Sequence, residues 1–485
     1  MADECANSTA RQLSVVAGRR HRVVIAGGGV AALETVLALR ALAGDHVSLA
    51  LLTPEAELMS RPVTVAEAFG RAEARTFRID EILLDQRIER VRDTLAWVDP
   101  AEDSVVTTTG ARLDYDSLMV GVGARQMVGL PGALSFRGCL DVPALRQILD
   151  DLVAGTARSV AFALPGGHPW PVPIYELALL TADHLREQGS QARVTLVTPE
   201  ERPLALFGPA AEQVVAPMLS SLGVVLRCSA LALRVRRGEL LLAGGGGICA
   251  DRVVTLTTLR GPCIPGLPAD AHGFIPVDAN GRVHGVRGAF AAGDVTTFPL
   301  KQCGLAAQQA DAAAAQIAHE AGAPVEPQPF APVLRSLLVT AGAPVYLRCE
   351  PQRLARPASV AIDDRRSTGH EAPPEVSVAS DQALWWPPAK ITGRYLAPHL
   401  ATARPLTTTV QPLTDRQPEP GPGPSAAEFA DAVELALMLA DCDADWGNYQ
   451  AALASLDAAQ ALQGTLPAEY EVKRDLWQRE VRAEH

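Results

Sequence analysis

The sequence predicts an α/β protein in which helices cover mostly parallel sheets, and three observations predict this fold class. Short β-branched runs recur along the chain with helix-period segments between several of them. One run is followed at once by a glycine-rich turn and a helix, within residues 22–42. A second strand–helix–strand pattern covers residues 160–199. Alternation of this kind is typical of parallel strands joined by helices.

Size and composition exclude several classes of protein. The 485 residues leave room for about three domains. A hydrophobic share of 48% with 20% charged residues is that of a globular protein rather than a disordered one. The net charge of −12, without a basic stripe, argues against nucleic acid as a partner. The eight cysteines form no C-x-x-C and no zinc-type spacing with histidine, so we expect reduced thiols and no metal site.

The chain shows no export or membrane signal that we recognise. Residues 1–20 lack the positive-then-apolar order of a signal peptide. The long uncharged stretch Ser159–Tyr175 contains four prolines, which break any helix that would cross a bilayer. We therefore expect no transmembrane segment and a cytoplasmic location.

The first glycine turn is the sharpest local motif. It follows the predicted strand Arg22–Ala26, begins the predicted helix Val30–Leu42, and fits G-x-G-x-x-G/A. Gly27 permits a tight turn, Gly29 permits close approach of a ligand, and Ala32 permits close helix–strand packing. Free N–H groups at the positive end of the helix favour a pyrophosphate. The motif predicts a Rossmann-like dinucleotide site; a glycine-rich connection without a ligand is the alternative.

The residue expected to hold the ribose is displaced. An acid usually ends the second strand, here Val47–Leu52, but Thr53 lies at that position. Glu55 follows two residues later and can reach the ribose from the turn, unless it is simply an exposed loop glutamate. A protein that keeps the fold but has lost the cofactor is a further alternative.

A second motif lies near residue 290. The small-residue strand Gly288–Asp294 ends in Gly293 and Asp294, and Asp294 can accept hydrogen bonds from sugar-type hydroxyls. The predicted helix Gly304–Ala318 would direct its positive end, with Lys301 nearby, at an electron-accepting ring.

The strand pattern also predicts the domain organisation. We expect residues 21–150 and 265–323 to form one nucleotide-type domain, into which residues 151–264 insert a second, followed by a C-terminal α+β domain over 324–412 and a helical tail over 425–485. The linker over 416–425 is rich in proline, and Ser425 with Glu428 forms a capping box. The tail carries 12 acidic and 4 basic side chains, so anionic lipid would repel it, which favours a soluble acceptor or a partner protein.

Together, residues Arg22–Glu34, Tyr115–Ala124 and Gly288–Asp294 resemble the two-dinucleotide-domain flavoproteins of the pyridine nucleotide-disulfide oxidoreductase kind. These are the sulfide:quinone oxidoreductases, type II NADH dehydrogenases and apoptosis-inducing-factor-like enzymes. The resemblance covers roughly residues 21 to 400. It implies two Rossmann-like FAD/NAD(P)-binding domains, one inserted in the other, with FAD as cofactor and NAD(P)H left open.

The resemblance also implies site residues. Those expected to contact FAD are Gly27, Gly29 and Ala32 at the pyrophosphate, Arg61 and Pro62 near the flavin, Gly123 beside the cofactor, Asp294 at the ribityl chain, and Lys301 and Gln302 at the pyrimidine end of the ring.

The second glycine loop, ALPGGHPWPVPIYELAL, departs from the family pattern. Gly166 and Gly167 can cradle a phosphate, but His168 and three prolines crowd the turn. In the next turn an acid at Glu200 or Glu201 would favour NADH over NADPH.

Two catalytic candidates remain open beside Lys301. Glu176 either faces the flavin and the donor or lies on the surface of its helix. Cys303 is a candidate redox thiol, although isolated cysteines are more often small buried apolar side chains. Trp385 and Trp386, with Lys390, form either a domain interface or a wall over the flavin.

The function that we expect is an FAD-dependent oxidoreductase. It would pass electrons from NAD(P)H or another small reductant, through flavin, to a quinone or soluble acceptor. The alternative is a flavin-binding sensor or assembly protein with little turnover, whose acidic tail binds a partner. A partner protein or a dimer through the C-terminal domain or tail is compatible with both.

Overall fold

The computed structural model describes residues 19–84, 86–167, 170–350, 376–403 and 465–483, with residues 453, 456 and 460. The chain divides into two compact units, Met1–Thr408 and Thr409–His485. The predicted linker and its capping box lie outside the described residues, as does His168.

Most strands are short and belong to the first unit. In chain order they are β1 (His21–Ala26), β2 (Val47–Leu52), β3 (Glu57–Met59), β4 (Thr76–Arg78), β5 (Glu89–Val91), β6 (Leu95–Asp99), β7 (Ser104–Thr107), β8 (Arg112–Asp114), β9 (Ser117–Val120), β10 (Arg125–Met127), β11 (Leu134–Phe136), β12 (Ser159–Ala163), β13 (Arg193–Val197), β14 (Val225–Arg227), β15 (Ala232–Arg236), β16 (Glu239–Leu242), β17 (Gly247–Cys249), β18 (Arg252–Leu256), β19 (Thr258–Arg260), β20 (Ala289–Ala291), β21 (Leu334–Leu338), β22 (Val345–Glu350) and β23 (Val376–Ser380).

The α-helices, in chain order, are α1 (Val30–Ala43), α2 (Ile79–Ile82), α3 (Val142–Ala154), α4 (Val172–Glu187), α5 (Pro209–Ser221), α6 (Cys303–Glu320), α7 (Leu396–Thr402) and α8 (Ala468–Ala483). Short 3₁₀ segments cover Gly44–His46, Arg61–Phe69, Cys139–Asp141 and Ala205–Phe207. Within the described part of the chain, every helix is too short or too polar to traverse a bilayer.

The first large sheet positions both predicted cofactor motifs. Its five strands have the order β20-β9-β1-β2-β5 and are parallel. Both β1 and β20 pair with β9, so the turns that follow β1 and β20 lie at the same carboxyl edge of the sheet. Helices α1 and α6 pack together on this sheet around the fully buried Leu33, Ala313 and Ile317. Ligands of open α/β sheets bind outside this edge.

The second large sheet has the order β11-β18-β12-β13-β14 and is also parallel. All of its strands lie between β9 and β20 in the chain, so the second sheet is inserted into the first fold. The two helix-covered parallel sheets confirm the predicted α/β fold class with two Rossmann-like domains.

The remaining sheets are antiparallel. Two three-stranded sheets, β6-β7-β8 and β15-β16-β17, extend the two Rossmann-like folds, and the ribbon β10-β19 lies where the chain enters and leaves the inserted domain. A third three-stranded sheet, β21-β22-β23, forms the C-terminal α+β part together with α7. Its buried Leu334, Leu338 and Leu347 join the core of the inserted domain.

Candidate functional site

The first glycine turn has the backbone that a dinucleotide site needs. Gly27 has φ +123°, and a Cβ there would overlap the carbonyl oxygen of Gly121. A Cβ on Gly29 would meet nothing within 4 Å, so open space lies in front of the turn. No side chain caps the start of α1, and its first turn contains no acid. A bare, positive helix end beside open space fits a pyrophosphate.

Close packing behind the turn follows from small residues. Ala32 is fully buried, and a Cβ on Gly121 would lie 3.1 Å from the Ala32 backbone nitrogen. Gly123, two residues further, has φ +77° with open space around it. The turn therefore presents two glycine backbones, Gly29 and Gly123, that leave room for a cofactor.

Thr53 and Glu55 lie beside this turn. The Thr53 hydroxyl donates a hydrogen bond to the Glu55 carboxylate. A Cβ on Gly28 would lie 2.6 Å from the Thr53 Oγ1 and 3.1 Å from the Glu55 Oε2. The displaced acid thus reaches the position at which the strand-end acid of a Rossmann fold binds ribose.

The second motif converges on the same place. Gly293 has φ +84°, and a Cβ there would lie 3.2 Å from the side chains of both Ala31 and Ala306. Its N–H donates to Gln309 Oε1 at 2.7 Å. The two motifs, almost 270 residues apart in the sequence, therefore touch each other at the start of α1, as one FAD site requires.

A cavity of about 280 Å³ opens next to Gly293. It brings together most of the residues predicted for the flavin end: Arg61, Pro62, Glu176, Asp294, Lys301, Gln302 and Cys303. Other walls come from Gln126, Arg137, Trp170, Leu256, Leu337 and Lys390. The residues at or beside the first glycine turn, Gly27, Gly29, Ala32, Thr53 and Glu55, lie outside this wall.

Glu176 is the most constrained acid of the cavity. Its side chain is fully buried, and Oε1 accepts hydrogen bonds from the Lys390 ammonium at 2.5 Å and from the Val339 N–H at 2.7 Å. Its Oε2 is buried without a hydrogen-bond partner in the described part of the chain. Burial raises the pKa of Glu176, and the Lys390 ammonium opposes that rise.

Lys301 and Asp294 are two of the ionisable residues that line the cavity. The Lys301 ammonium donates to the carbonyl oxygen of Thr296 and lies 4.0 Å from the centroid of the Phe274 ring. Burial lowers the pKa of Lys301 to about 8, so the side chain is still mainly charged at neutral pH. Burial also raises the pKa of Asp294, and Lys301 opposes that rise.

Gln302 and Cys303 line the cavity, but their polar atoms are used within the protein. Gln302 caps α6: its Oε1 accepts from the Leu305 N–H at 2.9 Å, and its Nε2 donates to the Arg335 carbonyl at 3.3 Å. The Cys303 thiol donates to the Lys390 carbonyl at 3.3 Å. Burial raises the pKa of Cys303 to about 12, so the thiol is held neutral, which does not suit the predicted redox role.

The second glycine loop does not repeat the first one. Gly166 lacks space in front of it, because a Cβ there would lie 2.8 Å from the Leu231 side chain. Gly167 has φ +67° and open surroundings. Pro171 and Pro173 at the start of α4 have no N–H. The Ile174 N–H, which follows them, donates to the Pro171 carbonyl at 3.1 Å. The described residues of this loop thus offer fewer free N–H groups than the first glycine turn, and the cradle at Gly166 and Gly167 stays a prediction.

Glu200, the acid after β13, accepts hydrogen bonds from within the protein. The Glu200 carboxylate accepts hydrogen bonds from the Tyr175 hydroxyl at 2.6 Å and from the Thr198 hydroxyl at 2.9 Å. Burial raises the pKa of Glu200. Both hydroxyls donate to the same carboxylate oxygen, Oε2 of Glu200.

Sequence reasoning named Lys390 beside the paired tryptophans but missed its pairing with Glu176, and it missed the place of Arg137 in the cavity wall. Lys390 is the single charge in the otherwise apolar run WWPPAKI, a pattern that signals a buried cation. Arg137 carries no such signal, and its guanidinium pairs with Asp141 at 2.8 Å. Trp385 packs edge-on against Tyr346 at 5.0 Å, whereas Trp386 is 83% exposed.

Part of the chain is similar to known oxidoreductases. Residues 174–322 match the family model described as pyridine nucleotide-disulphide oxidoreductase. The sulfide-quinone reductase of Aquifex aeolicus is 28% identical over 186 residues, which cover 37% of this chain and 43% of that protein. The oxidoreductase ptaL of Pestalotiopsis fici is 28% identical over 204 residues, which cover 39% of this chain and 50% of that protein. The chain thus spans half or less of the length of these relatives.

Solved structures agree in fold. The sulfide:quinone oxidoreductase of Aquifex aeolicus matches with a TM-score of 0.63 at 18% identity, over 74% of this chain and 87% of that one. A ferredoxin reductase from Rhodopseudomonas palustris matches with a TM-score of 0.52 at 20% identity, over 68% of this chain and 82% of that one. These matches confirm the resemblance to pyridine nucleotide-disulphide oxidoreductase-like flavoproteins, and they imply FAD, with NAD(P)H as substrate or cofactor.

Proposed function

We propose that this protein is an FAD-dependent oxidoreductase in which a small reductant enters the cavity at Glu176 and electrons leave to a quinone or soluble acceptor. One observation carries the proposal. A single cavity is lined by Asp294 and Lys301 from the cofactor edge of the first sheet and by the buried Glu176–Lys390 pair from the other domains. Titratable groups whose pKa values are shifted by burial and by a charged partner cluster at functional sites, which makes this cavity the favoured site.

FAD, when bound, supplies the hydride or electron-pair transfer. The residues present fit its two ends. The N–H groups at the start of α1 bind the pyrophosphate across the open space at Gly29, and Thr53 with Glu55 binds the ribose. Asp294 accepts hydrogen bonds from the ribityl hydroxyls and holds the ring end of the cofactor in the cavity.

Negative charge that develops in the cavity is stabilised at the start of α6. Gln302 and Cys303, the N-cap and first residue of this 18-residue helix, line the cavity. The Lys301 ammonium precedes them and is fixed by Thr296. A positive helix end and a fixed ammonium in a water-poor space stabilise an anion better than water does.

Glu176 handles a proton in this proposal. Its unpartnered Oε2 is free to accept one from a reductant in the cavity, while Oε1 stays anchored by Lys390 and Val339. The raised pKa brings the carboxyl toward the pH at which a group both accepts and releases protons.

The second loop supports a donor that needs no dinucleotide phosphate site. The Leu231 side chain lies close to Gly166, and the two prolines at the start of α4 supply no N–H, which favours a donor other than NAD(P)H. A small reductant such as sulfide, which the name of the Aquifex aeolicus relative indicates for that protein, requires only the cavity.

The test is anaerobic stopped-flow absorbance of the purified yellow protein mixed in turn with NADH, NADPH and sulfide. We expect rapid flavin bleaching by sulfide and slow or no bleaching by the nucleotides. Bleaching by none of them would overturn the donor assignment, and a colourless protein that does not take up added FAD would overturn the cofactor. If a reductant bleaches the flavin but no acceptor supports repeated turnover, the sensor or assembly alternative replaces the enzyme.

A further inference from the structure

The guanidinium of Arg71 binds together three elements that build the cavity wall. Arg71 follows the 3₁₀ segment Arg61–Phe69, and its Nη1 donates to the carbonyl oxygen of Ala341 at 2.8 Å. Its Nη2 donates to the Asp183 Oδ2 at 2.6 Å and to the Glu187 Oε1 at 3.0 Å, both on α4. The 3₁₀ segment, α4 and the strand β21, which precedes Ala341, all supply residues that line the cavity.

Asp183 anchors this guanidinium on α4. The Asp183 side chain is 1% exposed, whereas that of Arg71 is 26% exposed. The other carboxylate oxygen, Oδ1, accepts a hydrogen bond from Arg186, three residues further along the helix. A buried carboxylate holds its cation firmly, because loss of the cation leaves an unpaired charge inside the protein.

The same face of α4 carries Glu176. Glu176 lies seven residues before Asp183, which is two helical turns, so the two side chains share one face about 10 Å apart along the axis. The Glu176 Oε1 accepts the Val339 N–H at 2.7 Å, and Arg71 binds Ala341 two residues later in the chain. The turn over residues 339–343 is therefore held at two points, and both chains of hydrogen bonds end on this face of α4.

Hydrogen bonds within the turn couple these two points. The Thr340 hydroxyl donates to the Ala343 carbonyl at 2.8 Å and accepts the Gly342 N–H at 3.1 Å. A turn closed in this way moves as a unit, so a displacement at Ala341 also displaces the N–H of Val339.

We propose that Arg71 is a positioning residue of the cavity: anchored on Asp183, it holds the turn over residues 339–343 against α4 and so keeps the Val339 N–H on Glu176. The inference rests on the proposed function, in which the Glu176 Oε2 takes up a proton from the reductant. With Oε1 held by Val339 and Lys390, Oε2 remains the free oxygen. Without Arg71 the turn is released, and Glu176 loses one of the two donors on Oε1.

Loss of this hydrogen bond changes the electrostatics of Glu176. Burial raises the pKa of Glu176, and the Lys390 ammonium and the Val339 N–H oppose that rise. When the Val339 N–H leaves, one opposing contact is lost, and the pKa of Glu176 rises further. Glu176 then becomes an effective base only at higher pH.

Hydrogen exchange of the full-length FAD-loaded protein, followed by mass spectrometry, tests the hold on the turn without any electron donor. In Arg71→Met, protection of the peptide that contains Val339 should fall at least about tenfold, because the amide then exchanges by local opening of the turn. Peptides over β22 should keep their wild-type protection. Arg186→Met is the matched control: it removes the other guanidinium from Asp183 but leaves the contact of Arg71 with Ala341 in place, so Val339 should stay protected.

Flavin reduction by the effective donor supplies the second measurement. In Arg71→Met the limb of the pH profile that belongs to Glu176 should move to higher pH, and below that limb the rate should fall by roughly threefold or more. Arg186→Met should keep the wild-type profile. A role of Arg71 in stability alone would leave this limb in place.

Unchanged Val339 protection in Arg71→Met would overturn the proposal, as would an equal loss in Arg186→Met or an equal loss over β22. Lost protection with an unmoved pH limb would overturn the link to Glu176. If no reductant bleaches the flavin, the proposed function fails, while hydrogen exchange still decides whether Arg71 holds the turn.

A second variant covers the case in which Arg71→Met does not fold. Arg71→Lys keeps the charge beside Asp183 but has one nitrogen in place of the two that bind Asp183 and Ala341. Protection of Val339 should therefore still fall in this variant. Wild-type protection in Arg71→Lys would overturn the proposal.

Discussion

The ammonium of Lys390 lies 2.5 Å from the carboxylate of Glu176, and the two side chains are 8% and 0% exposed. The pair joins the C-terminal part of the chain to the helix of the inserted domain across a sequence separation of 214 residues. Its second carboxylate oxygen, Oε2, has no partner among the described residues. A buried ion pair of this kind is costly to break from one side, because the remaining charge stays buried.

Replacing Lys390 alone should therefore destabilise the protein strongly. We expect Lys390→Met to lower the free energy of unfolding by about 3–5 kcal/mol. It should also raise the pKa of Glu176 further, because the ammonium lowers that pKa. Urea denaturation of the wild type and of Lys390→Met measures the loss in free energy of unfolding.

The double variant Glu176→Gln/Lys390→Met tests whether the unpaired Glu176 carboxylate causes this loss of stability. With both charges removed it should recover part of the lost stability. Arg202→Met breaks an exposed ion pair with Glu212 at 3.7 Å and serves as control, with an expected loss of at most about 1 kcal/mol. Losses of equal size in Lys390→Met and Arg202→Met would contradict the buried-pair interpretation.

Much of the fold could be predicted because its core strands carry strong local patterns. Strand β2 begins and ends at the predicted residues. Helix α1 begins at the predicted Val30 and ends one residue after the predicted Leu42, and α6 begins one residue before and ends two residues after the predicted Gly304–Ala318. The antiparallel sheet β15-β16-β17 was not predicted, since its short, largely exposed strands lack a buried apolar run.

The site could be predicted only in part. Glycine turns and a Gly-Asp strand end are local signals, so the sequence alone predicts Gly27 and Asp294 as site residues. The pairing of Lys390 with Glu176 depends on the packing of three folded parts, and no spacing in the sequence encodes it. The occupation of Glu200 by Tyr175 is hidden for the same reason.

Substitutions at two glycines of the first turn should distinguish an effect on folding from an effect on cofactor binding. Gly27→Ala should destabilise the protein even without FAD, because Gly27 has φ +123° and a Cβ would overlap Gly121. Gly29→Ala should fold normally, since its Cβ meets nothing within 4 Å, but should retain less flavin because the methyl group enters the pyrophosphate space. Thermal unfolding of the FAD-free proteins and the flavin-to-protein absorbance ratio measure the two effects. Normal flavin content in Gly29→Ala would contradict the assignment of the pyrophosphate site.

Glu176→Gln tests proton handling. The amide keeps the shape of the side chain but cannot take up a proton, so we expect flavin reduction by the effective donor to slow by roughly 100-fold or more. The pH dependence of that rate should lose the limb that belongs to Glu176. Glu102→Gln, an exposed change outside the cavity wall, is the control and should leave rate and pH profile unchanged.

Cys303→Ser should leave the rate of flavin reduction nearly unchanged. The thiol has a pKa of about 12 and donates to the Lys390 carbonyl, and a serine hydroxyl can donate the same bond. We expect the stopped-flow reduction rate to stay within about twofold of wild type, because a thiol with so high a pKa supplies almost no thiolate. A loss of reduction by sulfide, with flavin content unchanged, would restore the redox role predicted from the sequence.

Asp311, on α6, should make the free energy of unfolding depend on pH, and the sign of this dependence follows from its pKa shift. Its pKa is raised from 3.8 in the unfolded chain to about 8 in the folded protein, so the folded state binds a proton that the unfolded state has released. The stabilisation that this proton gives is fully present below the pKa of the unfolded state and is lost once the pH passes the pKa of the folded state. Between these two values the free energy of unfolding declines by up to about 1.4 kcal/mol per pH unit. Asp311→Asn removes this term, so urea denaturation across that range should show a slope against pH that is less negative than in wild type. Parallel slopes would mean that Asp311 is ionised in the folded protein.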